Sequence, residues 1–254
     1  MSATQIIQIS DCHLHADKHT ELYGYDTYAN LCQVLNYIDK HEQPDLLLFT
    51  GDLSQDGTAG SYQHLVELIE QTGIMSYVIP GNHDDQTQMR QHLQGTRIRH
   101  DRLITLDDYC FILLDSTVPG KASGYFNQKE LDFLEDTLKT TEKNQVLIAC
   151  HHHSLSCDSP LMDTMMIKNA DTFNQLIANY TNVKAVFFGH IHQELNKKYH
   201  HIDYFGCPAT AMPFMPKMTT LSFDKKTPGY RKIILSNGSA LRTQVHYLPT
   251  ELVD

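Results

Sequence analysis

Five short apolar runs in this chain each stop at a residue that can bind a metal or move a proton. Asp11 and His13 flank one residue after Ile6-Ile7-Gln8-Ile9, and Asp52 follows Leu46-Leu47-Leu48-Phe49-Thr50-Gly51. Asn82, His83 and Asp84 follow Val78-Ile79-Pro80-Gly81. His151-His152-His153 follow Val146-Leu147-Ile148-Ala149-Cys150, and His190 and His192 flank Ile191 after Val183 to Phe188 and Gly189. A Pro-Gly pair cannot continue a strand ladder, and strand ends are where α/β sheets bind ligands. In an extended segment Asp11 and His13 would point the same way, as would His190 and His192. Asp11, His13, Asp52, Asn82, His151, His190 and His192 offer oxygen and nitrogen ligands and no thiolate. Seven are too many for one tetrahedral zinc and suit two ions that share a carboxylate. Two ions about 3.5–4 Å apart can clamp the attacking and leaving oxygens of a phosphoryl displacement. Each pair alone says little, since Asp52 by itself would read as a turn or helix N-cap. Five in chain order, with three adjacent histidines that have no packing rationale, say more.

The elements that must position these residues alternate. Helices are expected over Asp26 to Lys40, Gly60 to Gln71 and Gln86 to Leu93, with Leu31, Leu35 and Ile38, then Leu65 and Ile69, on buried faces. With the strands between them they predict a parallel sheet with right-handed crossovers. Arg102 to Leu106 and Tyr109 to Leu114 read as a hairpin around Asp107-Asp108. Asn127 with Glu130 reads as a capping box for the helix carrying Leu131, Leu134 and Leu138. Ser154 to Met166 is a long loop with Pro160, a candidate rim or lid. A further helix covers Asp171 to Tyr180. Tyr230 to Leu235 and Ala240 to Tyr247, joined by Ser236-Asn237-Gly238-Ser239, form a hairpin expected to supply a second, antiparallel sheet. Pro208 to Pro216, with Met212, Phe214 and Met215, is an apolar stretch that could wall a pocket. His15 is a decoy beside the first pair, and His19 is surface.

Composition narrows the partners. The chain has 254 residues, 41% apolar and 20% charged, with a formal net charge of −10. That balance disfavours nucleic acid and anionic membranes, which need basic surfaces. Met1 to Gln5 carry no basic leader and no long apolar segment follows, so a cytoplasmic protein with one domain over residues 1–254 is expected. Cys12, Cys32, Cys110, Cys150, Cys157 and Cys207 show no C-x-x-C spacing and read as free thiols.

The ordered set Asp11-x-His13, Gly51-Asp52, Gly81-Asn82-His83-Asp84, a strand-end His151 and Gly189-His190-x-His192 resembles the calcineurin-like metallophosphoesterases over nearly the whole chain. Gly51-Asp52-Leu53-Ser54-Gln55-Asp56 and Gly189 to Leu195, with the tail from Pro228-Gly229-Tyr230-Arg231, further resemble its bacterial class III cyclic nucleotide phosphodiesterases. The resemblance implies a four-layer α/β/β/α sandwich and two metal ions, iron or manganese, with zinc as the alternative. One ion would take Asp11, His13 and His192, the other Asn82, His151 and His190, with Asp52 shared. Asn82, His83 and His152 would face the substrate phosphate. His83 would be the general acid, and Asp84 would orient it. The implied reaction opens 3′,5′-cyclic AMP to 5′-AMP by in-line attack of a hydroxide held between the ions. A glycerophosphodiester or 2′,3′-cyclic nucleotide is the alternative substrate. The family usually has Pro soon after its histidine pair, where His153-Ser154 stand here. An inactive metal-binding scaffold would need a missing ligand, and all seven are present. A cysteine phosphatase would need Arg six positions after a Cys, which none of the six has.

Overall fold

The computed structural model describes residues 3–236 and 240–252. Strand β1 (Thr4–Ile9) leads to a small hairpin, β2 (Glu21–Leu22) and β3 (Tyr25–Asp26), and then to α1 (Thr27–His41). The series continues with β4 (Leu46–Thr50), α2 (Ala59–Thr72), β5 (Ser76–Ile79), α3 (Gln86–His92) and β6 (Ile98–Arg99). The middle holds β7 (Leu103–Leu106), β8 (Tyr109–Leu113), α4 (Gln128–Thr140), β9 (Gln145–Ala149), α5 (Pro160–Asp163), α6 (Ala170–Ala178) and β10 (Val183–Phe188). Four more strands follow: β11 (Leu195–Tyr199), β12 (Ile202–Gly206), β13 (Gly229–Leu235) and β14 (Arg242–Tyr247). Helices α1 and α3 start where the sequence places acceptors for their orphan amides: Asp26 takes the Ala29 N–H at 2.8 Å, and Asp85 takes those of Thr87 and Gln88.

Two six-stranded sheets form, in the orders β14-β13-β1-β4-β5-β6 and β11-β12-β10-β9-β8-β7. Period-two alternation sorts their side chains into three apolar layers. Ile6, Leu46, Leu48, Leu147, Ala149, Ala185 and Phe187 meet between the sheets. Ile7, Ile9, Leu47 and Phe49 face the other way, against Leu31, Leu35, Leu65 and Ile69 of α1 and α2. Val146, Ile148, Val186 and Phe188 face Leu134, Leu138, Phe173 and Ile177 of α4 and α6. The result is the expected α/β/β/α sandwich, and each buried Leu or Ile contributes about 1.5–3 kcal/mol to it. No helix among the described residues is long and apolar enough to cross a membrane.

Two local expectations change. The C-terminal hairpin does not build the second sheet: β13 pairs antiparallel with β1 and so extends the first. The second sheet has its own parallel strands, β8, β9, β10 and β12, with β7 and β11 antiparallel at its edges. The turn residues Asn237, Gly238 and Ser239 of the hairpin lie outside the described residues. The capping box is half made. Asn127 accepts the Glu130 N–H at 3.1 Å, but the buried Glu130 carboxylate takes the Asp115 N–H at 2.8 Å and pairs with Arg102.

The tail hairpin is tied across to the second sheet by one charged side chain. Arg231 of β13 is fully buried. Its guanidinium donates to the carbonyls of Gly206 (2.9 Å) and Leu195 (3.3 Å), to Asn196 Oδ1 (3.1 Å) and to Thr243 Oγ1 (3.2 Å). The Phe205 ring lies beneath it at 5.1 Å. Removing the donors would strand those buried acceptors at about 1–3 kcal/mol each. Arg231→Met should therefore lower stability by about 2–4 kcal/mol in a urea titration, with Arg231→Lys between it and the parent. An unchanged midpoint in Arg231→Met would mean that strand pairing alone holds the hairpin.

Candidate metal centre

Five strand ends converge at one edge of the sandwich. Strands β1, β4 and β5 of the first sheet deliver Asp11 and His13, Asp52, and Asn82 and His83; β9 and β10 of the second deliver His151, His190 and His192. The two flanking pairs are not extended. Asp11, His13, Asp52, His190 and His192 all have positive φ, between 46° and 65°. For residues other than glycine this left-handed region costs about 1–2 kcal/mol each. The cost is met by loop-to-loop pairing: Asp11 N–H bonds the Gly51 carbonyl at 3.0 Å, and His13 N–H bonds that of Asp52 at 2.9 Å. Two glycines permit the approach. A Cβ on Gly81 would overlap the Asp52 backbone and carboxylate, and one on Gly189 would overlap Ser10 and Asp11.

The ring nitrogens can be assigned from what stands behind them. Three imidazoles donate Nδ1–H to oxygens that only accept: His13 to Gln55 Oε1 (2.7 Å), His151 to the Thr50 carbonyl (2.8 Å) and His192 to the Met212 carbonyl (2.7 Å). In the neutral rings their Nε2 atoms therefore carry lone pairs, and these face one another and the carboxylates. His13 Nε2 is 3.1 Å from His192 Nε2, which is 3.4 Å from Asp11 Oδ1. His151 Nε2 is 3.2 Å from both Asp52 Oδ2 and Asn82 Oδ1. Acceptors crowded on acceptors in a dry site call for a cation. His190 adds a buried Nε2 with no hydrogen-bond partner, in a cluster with His151 and His152. At His151 a proton can take the place of that cation. Burial alone would lower the pKa of His151, yet the Asp52 carboxylate pushes it up to about 9. Burial alone would raise Asp52, yet His151, foremost among its neighbours, holds it well below the carboxylate range. For His13 burial wins, and its pKa falls to about 4.

All seven expected ligands thus come together, and the residues fit two ions: Asp11, His13 and His192 form one group, and Asp11, Asp52 and His151 another. His151 rather than His152 turns toward Asp52. His83 is exposed on the cavity side; its backbone N–H bonds Asp52 Oδ1 at 2.8 Å, and its ring stands 5.0 Å from that of His13. Two residues stand otherwise than the resemblance implies. Among the described residues Asp84 makes no hydrogen bond to the His83 ring. Its carboxylate accepts the N–H groups of Gly81 (2.8 Å), Ser54 (3.0 Å) and Leu53 (3.2 Å) and the Tyr62 hydroxyl (3.0 Å), clasping the β4 and β5 loops together. Burial, with Asp52 nearby, pushes its pKa up to about 6 against those donors. His152 is not on the cavity wall. It is fully buried, with Nδ1 on Ser116 Oγ at 2.8 Å and its ring 4.6 Å from that of His190. His15 approaches only Asp56, at 3.9 Å, and His19 is exposed.

A cavity of about 220 Å³ opens on the ligands. His13, Asp52, Asn82, His83, His190 and His192 form its polar side; Leu161, Met162 and Met165 of the expected rim, with Met212 and Phe214, form an apolar side. Phe214 lies flat on His192, ring centres 3.9 Å apart. Gln55 and the Met212 carbonyl were not identifiable as ring holders, because only pairing between distant loops brings them behind His13 and His192.

A family model described as calcineurin-like phosphoesterase matches residues 4–194. The chain is 35% identical over 243 residues to the 3′,5′-cyclic adenosine monophosphate phosphodiesterase CpdA of Haemophilus influenzae, covering 95% of this chain and 89% of that protein. It is 35% identical over 248 residues to a 3′,5′-cyclic-nucleotide phosphodiesterase of Nostoc sp., covering 97% and 93%. Among solved structures, a dimetal phosphatase from Danio rerio superposes with a TM-score of 0.69 at 12% identity, covering 94% of this chain and 98% of that one. A purple acid phosphatase from yellow lupin superposes at 0.72 and 14%, covering 97% and 52%. These two share the fold.

Gln55 holds His13 through the nitrogen that faces away from the cluster. Gln55→Leu should keep the fold and weaken metal affinity about 10–100-fold, as loss of such an outer contact typically does. Titration of the apoprotein with Mn²⁺ checks this. Unchanged affinity would mean that packing alone orients His13.

Proposed function

The chain belongs to the calcineurin-like phosphoesterases, and from that premise we propose that it hydrolyses 3′,5′-cyclic AMP to 5′-AMP with two bound metal ions. One observation carries the reading: opposed lone pairs from two sheets converge on a single cavity, in a chain colinear with relatives named as cyclic nucleotide phosphodiesterases. Asp11, His13 and His192 would hold one ion, and Asn82, His151 and His190 the other, with Asp52 shared. When bound, the ions supply Lewis acidity, which acidifies water and offsets charge growing on the phosphoryl oxygens. Nitrogen and oxygen ligands without thiolate suit iron or manganese, and zinc as well.

The chain's own residues do the rest. The Asp84 clasp fixes the turn that carries Asn82 and His83. Bonding of the His83 N–H to Asp52 sets the start of that side chain, and its imidazole is left at the cavity. That position supports a role for His83 in holding a proton for the departing 3′ oxygen, a poor leaving group as an alkoxide. Leu161, Met162, Met165 and Met212 give the cavity an apolar side against which the uncharged part of a substrate could rest. The acidic surface suits a small substrate rather than nucleic acid, and six free cysteines suit the reducing cytoplasm.

The test is turnover of cyclic AMP, cyclic GMP, 2′,3′-cyclic AMP and glycerophosphodiesters by metal-reconstituted protein. Chelation should abolish turnover of cyclic AMP, and Mn²⁺ or Fe²⁺ should restore it; chelated protein that stays active would end the two-metal reading. Loss of a general acid typically costs about 10²–10⁴ in rate. His83→Ala should lose that much on cyclic AMP and far less on bis(p-nitrophenyl) phosphate, whose phenolate leaves without a proton. Equal losses on both substrates would instead assign His83 to stabilising charge on phosphate.

A further inference from the structure

The cavity has an exposed aromatic side that the ligand cluster does not use. Tyr23 is 62% exposed at the tip of the β2–β3 hairpin, and Leu221, 40% exposed, stands with it on the cavity lining. Tyr23 and Gly24 occupy a two-residue turn with φ of 53° and 84°. Such turns favour Asn-Gly, because both central residues take positive φ. A large aromatic residue is sterically disfavoured there, and no burial compensates for it. A strained, solvent-facing residue at the mouth of an active site points to a ligand contact.

The ring is not isolated. Phe223 lies 5.2 Å from Tyr23, 5.6 Å from Tyr25 and 6.0 Å from Phe214, which in turn stacks on His192. Aromatic rings therefore follow one another, stacked, edge-on and then tilted, from the cluster to solvent. The loop bearing Phe214 and Phe223 is pinned as a hairpin by Met215 N–H to the Ser222 carbonyl at 2.8 Å and Asp224 N–H to that of Pro213 at 3.0 Å. A larger cavity, about 570 Å³, opens on the other side of Asn82 and His83, but Asp56, Asp85, Arg90 and Thr117 make that side polar.

We propose that Tyr23 and Phe223 form a stacking platform for the nucleobase of a nucleotide whose phosphate sits at the ligand cluster. The proposal deepens the phosphodiesterase reading and rests on it for the choice of ligand. One cavity offers a polar end for an anion and a π face beside it, and a nucleotide has both. A glycerophosphodiester has no flat group to stack.

The probes are 5′-AMP and ribose 5-phosphate, titrated calorimetrically into the full-length, Mn²⁺-reconstituted protein. Tyr23→Asn removes the ring and suits the turn, so it should melt at or above the parent temperature. It should weaken AMP about tenfold and leave ribose 5-phosphate unchanged, in line with the loss of one base-stacking ring. Tyr23→Phe should restore AMP binding to within about twofold. Equal weakening of both ligands, no weakening of AMP, or a parent protein that binds AMP no tighter than ribose 5-phosphate overturns the platform. A parent that binds AMP through Tyr23 but opens no cyclic AMP would remove the catalytic reading and leave the platform standing. Turnover of cyclic AMP with Tyr23→Asn binding unaltered would do the reverse.

Discussion

Like groups are held against like at the edge of this sandwich. His13 and His192 bring nitrogen lone pairs to 3.1 Å, and Asp52 stands 3.2 Å from His151 and 3.7 Å from His13. In a dry site two neutral ring lone pairs repel, and the Asp52 carboxylate rests beside His151 through a proton or a cation shared between them. They are held from behind. Gln55, Thr50 and Met212 grip the far nitrogens of three rings, and the N–H groups of His190 and His83 grip Asp11 and Asp52. Those grips need loops from both sheets in register, so the packing of one sheet on the other is what makes the cluster.

Much of this was legible from residue types alone. A buried strand is a short apolar run, and a polar stop at its end is visible in one dimension. His151 to His153 stood out because charged-capable rings at a strand end have no packing reason to be there. What stayed hidden depends on contacts between distant segments. Asp84 looked like a partner for its neighbour His83, yet its donors come from Gly81 and from Leu53, Ser54 and Tyr62, about thirty residues away or nearer. The resemblance put His152 in the pocket, but its ring packs behind His151 and His190 with Nδ1 on Ser116. The positive φ of five candidate ligands is only faintly written in the sequence, since Asp and His are enriched in that region yet mostly lie outside it.

The partition of strands between sheets was the part of the fold least open to inference. A tail hairpin of alternating residues can pair with any free edge, and two sheets each offered one. Two features favour β1: the antiparallel register from Thr4 opposite Leu235 to Gln8 opposite Arg231, and the reach of Arg231 to the carbonyls of Gly206 and Leu195. Arg231 also explains how a fully buried cation is tolerated with no carboxylate bonded to it among the described residues: its hydrogens are taken by neutral oxygens and its face by Phe205.

The pairing of β1 with β13 sets a schedule for the molecule's own making. A ribosome releases β1 first and β13 roughly two hundred residues later. Until then one edge of an apolar strand has no partner, and Asp11 and His13 sit on a half-finished ladder. Asp52 and Asn82 arrive early, and His151, His190 and His192 late. The complete candidate set thus exists only once His192 has been made. The long interval also raises contact order, which slows folding and lengthens the time that the young edge must be shielded from its neighbours.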